Sequence, residues 1–279
     1  MPVEVSEEEL NDYYAVALEV AKKAGEVIRN AFWKEKTVDT KCSAADLVTA
    51  TDKAVEKLCF SLIKDKYPDH RLVGEETVSE EDCKITLTDQ PMWVIDPVDG
   101  TTNFVHSIPE VCFSLGVLIN QQPMIGVVYL PVTEQMYTSR RGHGAFLNGK
   151  KLQVSRQTDL KKAVVICEGG SSRDENVVKV KMENIHRLVS ASHGIRAYGS
   201  AAHNLCRVAQ GAGDAYVEYG IHIWDFAAGM LIAQEAGAVV VDPAGLQVDL
   251  LNRRILAAAS APLAAQISSL LSHLDMGRD

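Results

Sequence analysis

The chain has 279 residues, 47% of them hydrophobic and 23% charged, which suits a soluble globular body with one large core or two moderate ones. Its formal net charge is −9 and no basic tract exceeds three residues, which argues against a nucleic-acid groove. The acidic start MPVEVSEEEL and the shortness of every apolar run give no sign of a targeting peptide or a membrane span, so a cytoplasmic protein with no membrane partner is expected.

Apolar residues at helical spacing predict a first helix over residues 7–32. A polar linker with Lys34, Lys36, Lys41 and Ser43 follows, then a second helix over 51–65 that Tyr67-Pro68 ends. Residues 71–74 and 92–95 read as strands, the second stopped by Pro97. VCFSLGVLIN (111–120) and MIGVVYLP (124–131) read as antiparallel neighbours, and QMYTSR (135–140) and AFLNGKKLQV (145–154) extend the sheet through an Asn148-Gly149 hairpin. Beyond about residue 155 the pattern alternates: strand 163–168, helix 174–188, strand 194–198, helix 200–209, strand 215–220, helix 224–236, strand 238–242 and helix 262–273. This is a layered α/β fold. Two lobes are expected, an α+β lobe over 1–154 and an α/β lobe over 155–279, with one continuous core as the open alternative.

The six cysteines (42, 59, 83, 112, 167 and 206) lie far apart, with no metal-site spacing, and read as reduced, mostly buried thiols. The acids are more informative. In WVIDPVDGTTNF (93–104) a buried strand surfaces into Asp96 and Asp99, and Gly100, Thr101 and Thr102 follow at the start of a short helix. Carboxylates beside free helix N–H groups suit a cation and an anion bound side by side. The plainer reading is a cap, with Asp99 capping the helix and Asp96 closing the turn. Glu75 and Glu76 end another strand, while Asp52 (after DLVTAT, 46–51) and Asp225 (in IHIWDFAAG, 221–229) open helices. Capping would explain Asp52, but Asp225 has large apolar neighbours and needs a partner, for which a cation is one candidate. Were these acids to converge, their repulsion would call for metal ions.

GEE (74–76), the DPVDGTTNF run and WDFAAG (224–229) resemble the inositol monophosphatases, within the lithium-inhibited, magnesium-dependent sugar and inositol phosphatases, and the likeness extends over roughly 8–275. The resemblance implies an αβαβα sandwich with mixed and antiparallel sheets and an active site in the cleft between the lobes. It implies two or three Mg²⁺ ions held by Glu75, Asp96, Asp99 and Asp225, with the Val98 carbonyl and the Thr101 hydroxyl. Asp52 and Thr101 would orient and deprotonate the attacking water, and Glu75 would belong to the same catalytic group. Gly100 and Thr101 N–H groups would bind phosphate, and Asp99, Ser200, Ala201, Glu218 and Asp225 would contact the substrate. Glu76 is a nearby acid of looser role, and Ser200 stands where the family's inositol enzymes usually carry Thr. The implied reaction is hydrolysis of myo-inositol monophosphates by direct attack of water, in a homodimer. Other substrates of the family, namely sugar phosphates, fructose 1,6-bisphosphate or 3′-phosphorylated nucleotides, are the alternative. A covalent aspartyl-phosphate enzyme fits poorly, because Val98 stands where the DxDxT-like arrangement carries its second acid. A non-catalytic metal-binding protein is the most distant alternative. His106, His193, His203 and His222 read as scattered, without a ligand role.

Overall fold

The computed structural model describes residues 2–36, 38–40, 47–81 and 84–279, so Lys41, Cys42, Ser43 and Cys83 lie outside the described residues. Helix α1 (Glu7–Phe32) starts where the Ser6 hydroxyl accepts from the Glu9 N–H and Glu9 accepts in return from the Ser6 N–H. Two short strands, β1 (Val38–Thr40) and β2 (Leu47–Thr49), pair within the stretch expected to be a linker. Then come α2 (Ala50–Lys66), β3 (Arg71–Gly74), α3 (Glu75–Glu81), β4 (Met92–Asp99) and α4 (Thr101–Val105). Strands β5 (Cys112–Ile119), β6 (Gln122–Leu130), β7 (Gln135–Arg140), β8 (Gly144–Leu147) and β9 (Lys150–Lys151) complete a seven-stranded sheet of order β3-β4-β5-β6-β7-β8-β9. Only β3 and β4 are parallel neighbours in it.

A 3₁₀ turn (Leu160–Lys162) leads into β10 (Val164–Cys167), α5 (Glu175–Ala191), β11 (Gly194–Arg196), α6 (Ala201–Ala209), β12 (Ala215–Tyr219), α7 (Ile223–Glu235), β13 (Val239–Val241), β14 (Arg254–Ala258) and α8 (Ala261–Leu270). The second sheet has order β11-β10-β12-β14-β13, with β10 parallel to both its neighbours and β14 antiparallel to both of its own.

The layers run α1/α2, first sheet, α6/α7, second sheet, α5/α8, which is the expected αβαβα sandwich with two mixed sheets. Every residue of β4 and β5 is buried, because helices cover both faces of the sheet. The cluster between the sheets joins Val94, Val128 and Tyr137 to Leu205, Trp224, Ile232 and Ile255, so both halves of the chain contribute to one packed layer. Helix α7 lies very close to β6: a Cβ on Gly126 would stand 2.6 Å from the Ala228 carbonyl oxygen. No helix among the described residues is long and apolar enough to cross a membrane.

Several elements differ from expectation for local reasons. Strand β4 runs past Pro97 to Asp99, because a bulge between Asp96 and Asp99 absorbs the residue that has no N–H to donate. Glu75 and Glu76 open a helix rather than close a strand. Helix α8 stops at Leu270, with extended Leu271 after it, instead of reaching residue 273. The sequence pattern does not predict strand β14. Its alanine-rich sequence carries no alternation, and only burial between β12 and β13 makes it a strand.

Candidate active site

The bulge at the end of β4 aims two acids in different directions. Asp96 Oδ1 accepts the Val98 N–H at 3.0 Å, closing a local turn as the capping reading expected. Asp99 does not cap the helix that follows it. That position is taken by Gly100 at φ 90°, a left-handed conformation suited to glycine, and no side chain caps α4. The N–H groups of the first turn of α4 therefore have no helix partner. The Thr101 hydroxyl donates to the Val98 carbonyl at 3.1 Å.

Asp99 instead reaches across the chain to the start of α6. Its Oδ2 accepts from the Ser200 hydroxyl at 2.7 Å and the Ala202 N–H at 2.7 Å, and its Oδ1 accepts from the Ala201 N–H at 3.3 Å. Burial pushes Asp99 up to about 6, and these three donors oppose that rise. Ser200 and Ala201 thus sit beside Asp99, as a shared pocket requires, with Ser200 also capping α6 by accepting the His203 N–H. Cys112 lies behind, its thiol 3.6 Å from Asp99, and burial pushes that thiol well above its ordinary range.

Asp52 is the third residue of α2, whose cap is Thr49. The Thr49 N–H at 2.9 Å and the Thr49 hydroxyl both donate to Asp52 Oδ2. Capping explains this oxygen only. Oδ1 is fully buried without a hydrogen-bond partner, and burial, aided by the charge of Glu75, pushes the carboxyl up to about 6. Among the described residues no hydrogen bond joins Asp52 to Thr101. Glu75 is placed by Glu56, a buried acid on α2 that accepts the Glu76 N–H at 2.8 Å, the Thr77 N–H at 2.8 Å and the Thr77 hydroxyl at 2.5 Å. Glu56 thereby holds the start of α3, and Glu76 beside it is buried.

Asp225 arrives from the opposite side, in the first turn of α7, where its Oδ2 accepts the N–H of the capping residue His222 at 2.7 Å. His222 stacks on Trp224 with ring centres 4.6 Å apart and pairs through Nδ1 with Asp279, so it is not free to ligate through that atom. The Asp225 and Asp96 carboxyls face each other, and burial drives both well above the usual carboxylate range. Burial first, and then the charges of Glu75, Asp99 and Asp225, drive Asp96 well above the usual carboxylate range. As they stand, no three His, Cys, Asp or Glu side chains among the described residues converge tightly enough to cage a cation. Buried acids that repel one another relax by sharing a proton, and a cation would serve the same end. The donors fit a hard divalent ion: carboxylate oxygens of Glu75, Asp96, Asp99 and Asp225, a backbone carbonyl at Val98, a hydroxyl at Thr101, and an unpartnered buried oxygen on Asp52.

On β12, buried Glu218 accepts the Tyr216 hydroxyl at 2.5 Å through Oε2. Burial and the neighbouring Glu168 push it up to about 8. Glu168 is not among the acids that the sequence motifs mark. Its Oε1 accepts the N–H groups of Tyr198 (2.7 Å) and Gly199 (2.9 Å) and the Asn204 amide (2.9 Å), which fixes the loop before α6. Its place after AVVIC is the same acid-at-strand-end signal that picked out Glu75. Glu56, in mid-helix, carries no comparable signal.

The sequence profile described as the inositol monophosphatase family matches residues 9–274. The chain belongs to the inositol monophosphatase family. Inositol monophosphatase 1 of Bos taurus is 48% identical over 267 residues, 95% of each chain. Among solved structures, the extragenic suppressor protein suhB of Bartonella henselae superposes with a TM-score of 0.82 at 29% identity, over 92% of this chain and 96% of that one. SaIMPase-II bound to inositol monophosphate superposes with a TM-score of 0.76 at 26% identity, over 92% of each chain. This member of the inositol monophosphatase family thus keeps its acids at the rim where β4, α2, α3, α6 and α7 meet.

Proposed function

We propose that the protein is a Mg²⁺-dependent phosphatase that hydrolyses myo-inositol monophosphates to inositol and phosphate. The observation that carries this reading is the pairing of buried Asp96 with half-buried Asp225, two acids more than a hundred residues apart whose carboxyls face each other and are both driven well above the usual range, where a cation would neutralise both. Two or three Mg²⁺ ions held by Glu75, Asp96, Val98, Asp99, Thr101 and Asp225 would neutralise the phosphoryl oxygens and make the attacking water more acidic. Asp52 Oδ1, buried and unpartnered, receives the water's proton, and Thr101 helps to orient that water. The water oxygen bonds to phosphorus as the ester P–O bond breaks, and the inositol oxygen leaves and takes a proton from solvent. The Gly100 and Thr101 N–H groups donate to the phosphoryl oxygens. Glu218, with Ser200, Ala201 and Asp99, reads the hydroxyl groups of the ring.

Glu168 next to Glu218 supports a neutral polyol over a second phosphate, which two acids would repel. The names of the relatives and the inositol-monophosphate-bound SaIMPase-II support the same substrate class. The test is phosphate release from a panel of inositol, sugar and nucleotide phosphates, with Mg²⁺, with EDTA and with added Li⁺. Mg²⁺-dependent release that is fastest on inositol monophosphates and inhibited by Li⁺ is expected. Release that persists in EDTA, or that favours bisphosphates, contradicts the reading.

A further inference from the structure

Lys181 is the charged residue that α5 buries, at 4% exposure. Its neighbour on that face, Asn184, donates to the Ser272 carbonyl at 2.8 Å. The Lys181 ammonium lies near the carboxylates of Glu218 and Glu168, with no hydrogen bond or ion pair within 4 Å among the described residues. Burial of the side chain pulls Lys181 below its ordinary range, and the nearby charges of Glu218 and Glu168 oppose that fall.

Its position gives the reason. A Cβ on Gly170 would lie 2.4 Å from Lys181 Nζ and 3.8 Å from Glu218 Oε1, and a Cβ on Gly220 would lie 3.8 Å from the same ammonium. The cation thus stands at the carboxyl ends of β10 and β12 and lines one pocket with Glu168 and Glu218. Tyr216 occupies Oε2 of Glu218, and Oε1 is the oxygen on the side of Gly170 and Lys181. The charged and titratable groups facing this pair are Glu168, Tyr216 and Asp99 around Glu218, and Glu168, Arg173 and Arg253 around Lys181. Burial and Glu168 work against charge on Glu218, and Lys181 is the cation that works for it.

We propose that Lys181 is the counter-ion of Glu218, a positioning residue that favours the charged form of this carboxylate and leaves its free oxygen open to the hydroxyls of a polyol phosphate. The inference rests on the reading of Glu218 given above. An uncharged Glu218 would carry a proton of its own and lose part of its capacity to accept from hydroxyls.

The test compares kcat/KM on inositol 1-phosphate with kcat/KM on an aryl phosphate, both in saturating Mg²⁺, for wild type, Lys181→Met, Lys181→Arg, Glu218→Gln and the Met/Gln double variant. Lys181→Met is expected to lower the ratio about tenfold through KM, the size of a one-unit rise in a neighbouring carboxyl. Lys181→Arg should restore most of it, and in the Glu218→Gln background Lys181→Met should change nothing further. The wild-type ratio should climb as pH rises through about 8, where Glu218 gains charge, and Lys181→Met should move that climb upward. If Lys181→Met does not fold, Lys181→Gln carries the same expectations. An unchanged ratio in Glu218→Gln removes the reading of Glu218 and this proposal with it. A lowered ratio in Glu218→Gln with none in the Lys181 variants, or simple additivity of the two, overturns the role of Lys181 alone.

Discussion

Asp52→Asn should make the metal-free protein more stable while removing its activity. Burial lifts Asp52 from 3.8 to about 6, so keeping it ionised in the folded chain costs about 3 kcal/mol. The unfolded chain releases this proton near pH 4 and the folded chain near 6, so metal-free wild type loses that stability as pH rises through this window. The amide avoids the charge but accepts less strongly from the Thr49 N–H and hydroxyl, an offset of about 1 kcal/mol. The variant should therefore gain about 1–2 kcal/mol in EDTA at about pH 8, seen as a rise of a few degrees in Tm, and no gain at about pH 4. Thermal unfolding across pH in EDTA reads this directly, with phosphate release in Mg²⁺ measured alongside. A variant less stable than wild type at the higher pH, or a gain independent of pH, would refute the reasoning.

Glu56→Ala removes the acceptor for two backbone N–H groups and the Thr77 hydroxyl at the start of α3. It should cost about 3–5 kcal/mol in urea unfolding and weaken Mg²⁺ binding, because Glu75 loses its support; wild-type Mg²⁺ affinity in the folded variant would show that Glu75 needs no such help. Gly126→Ala forces a Cβ to 2.6 Å from the Ala228 carbonyl oxygen. A loss of about 1–3 kcal/mol is expected, with α7 pushed off β6, and unchanged stability would mean that the two elements part without strain.

Much of the fold can be read from local pattern. The stripe of α1, the Asn148-Gly149 hairpin and the helix–strand alternation after residue 155 each follow from spacing and turn chemistry. The elements that escaped depend on tertiary contacts. Strand β14 is alanine-rich and becomes a strand by lying between β12 and β13, and β4 passes Pro97 because its partner β5 tolerates a bulge. The same division runs through the site. Acids at strand ends and helix starts mark Asp52, Glu75, Asp96, Asp99 and Asp225. Nothing local indicates that Asp99 caps α6, that Asp96 meets Asp225, or that Glu56 and Glu168 hold the loops around them, since each partner lies far away in sequence or on another element. Asp52 and Asp225 each use one oxygen at a helix start, which leaves the other oxygen for the proposed role.

The proposed function depends on divalent-cation binding by Asp96, Asp225 and the acids around them. Calorimetric titration of Mg²⁺ into wild type, Asp96→Asn and Asp225→Asn tests it most directly. Saturable binding to wild type is expected, accompanied by proton release from carboxyls held above their ordinary range, with at least a tenfold weaker affinity in each variant, about 1.4 kcal/mol or more. Equal Mg²⁺ affinity in all three proteins, or no binding to wild type, would contradict it.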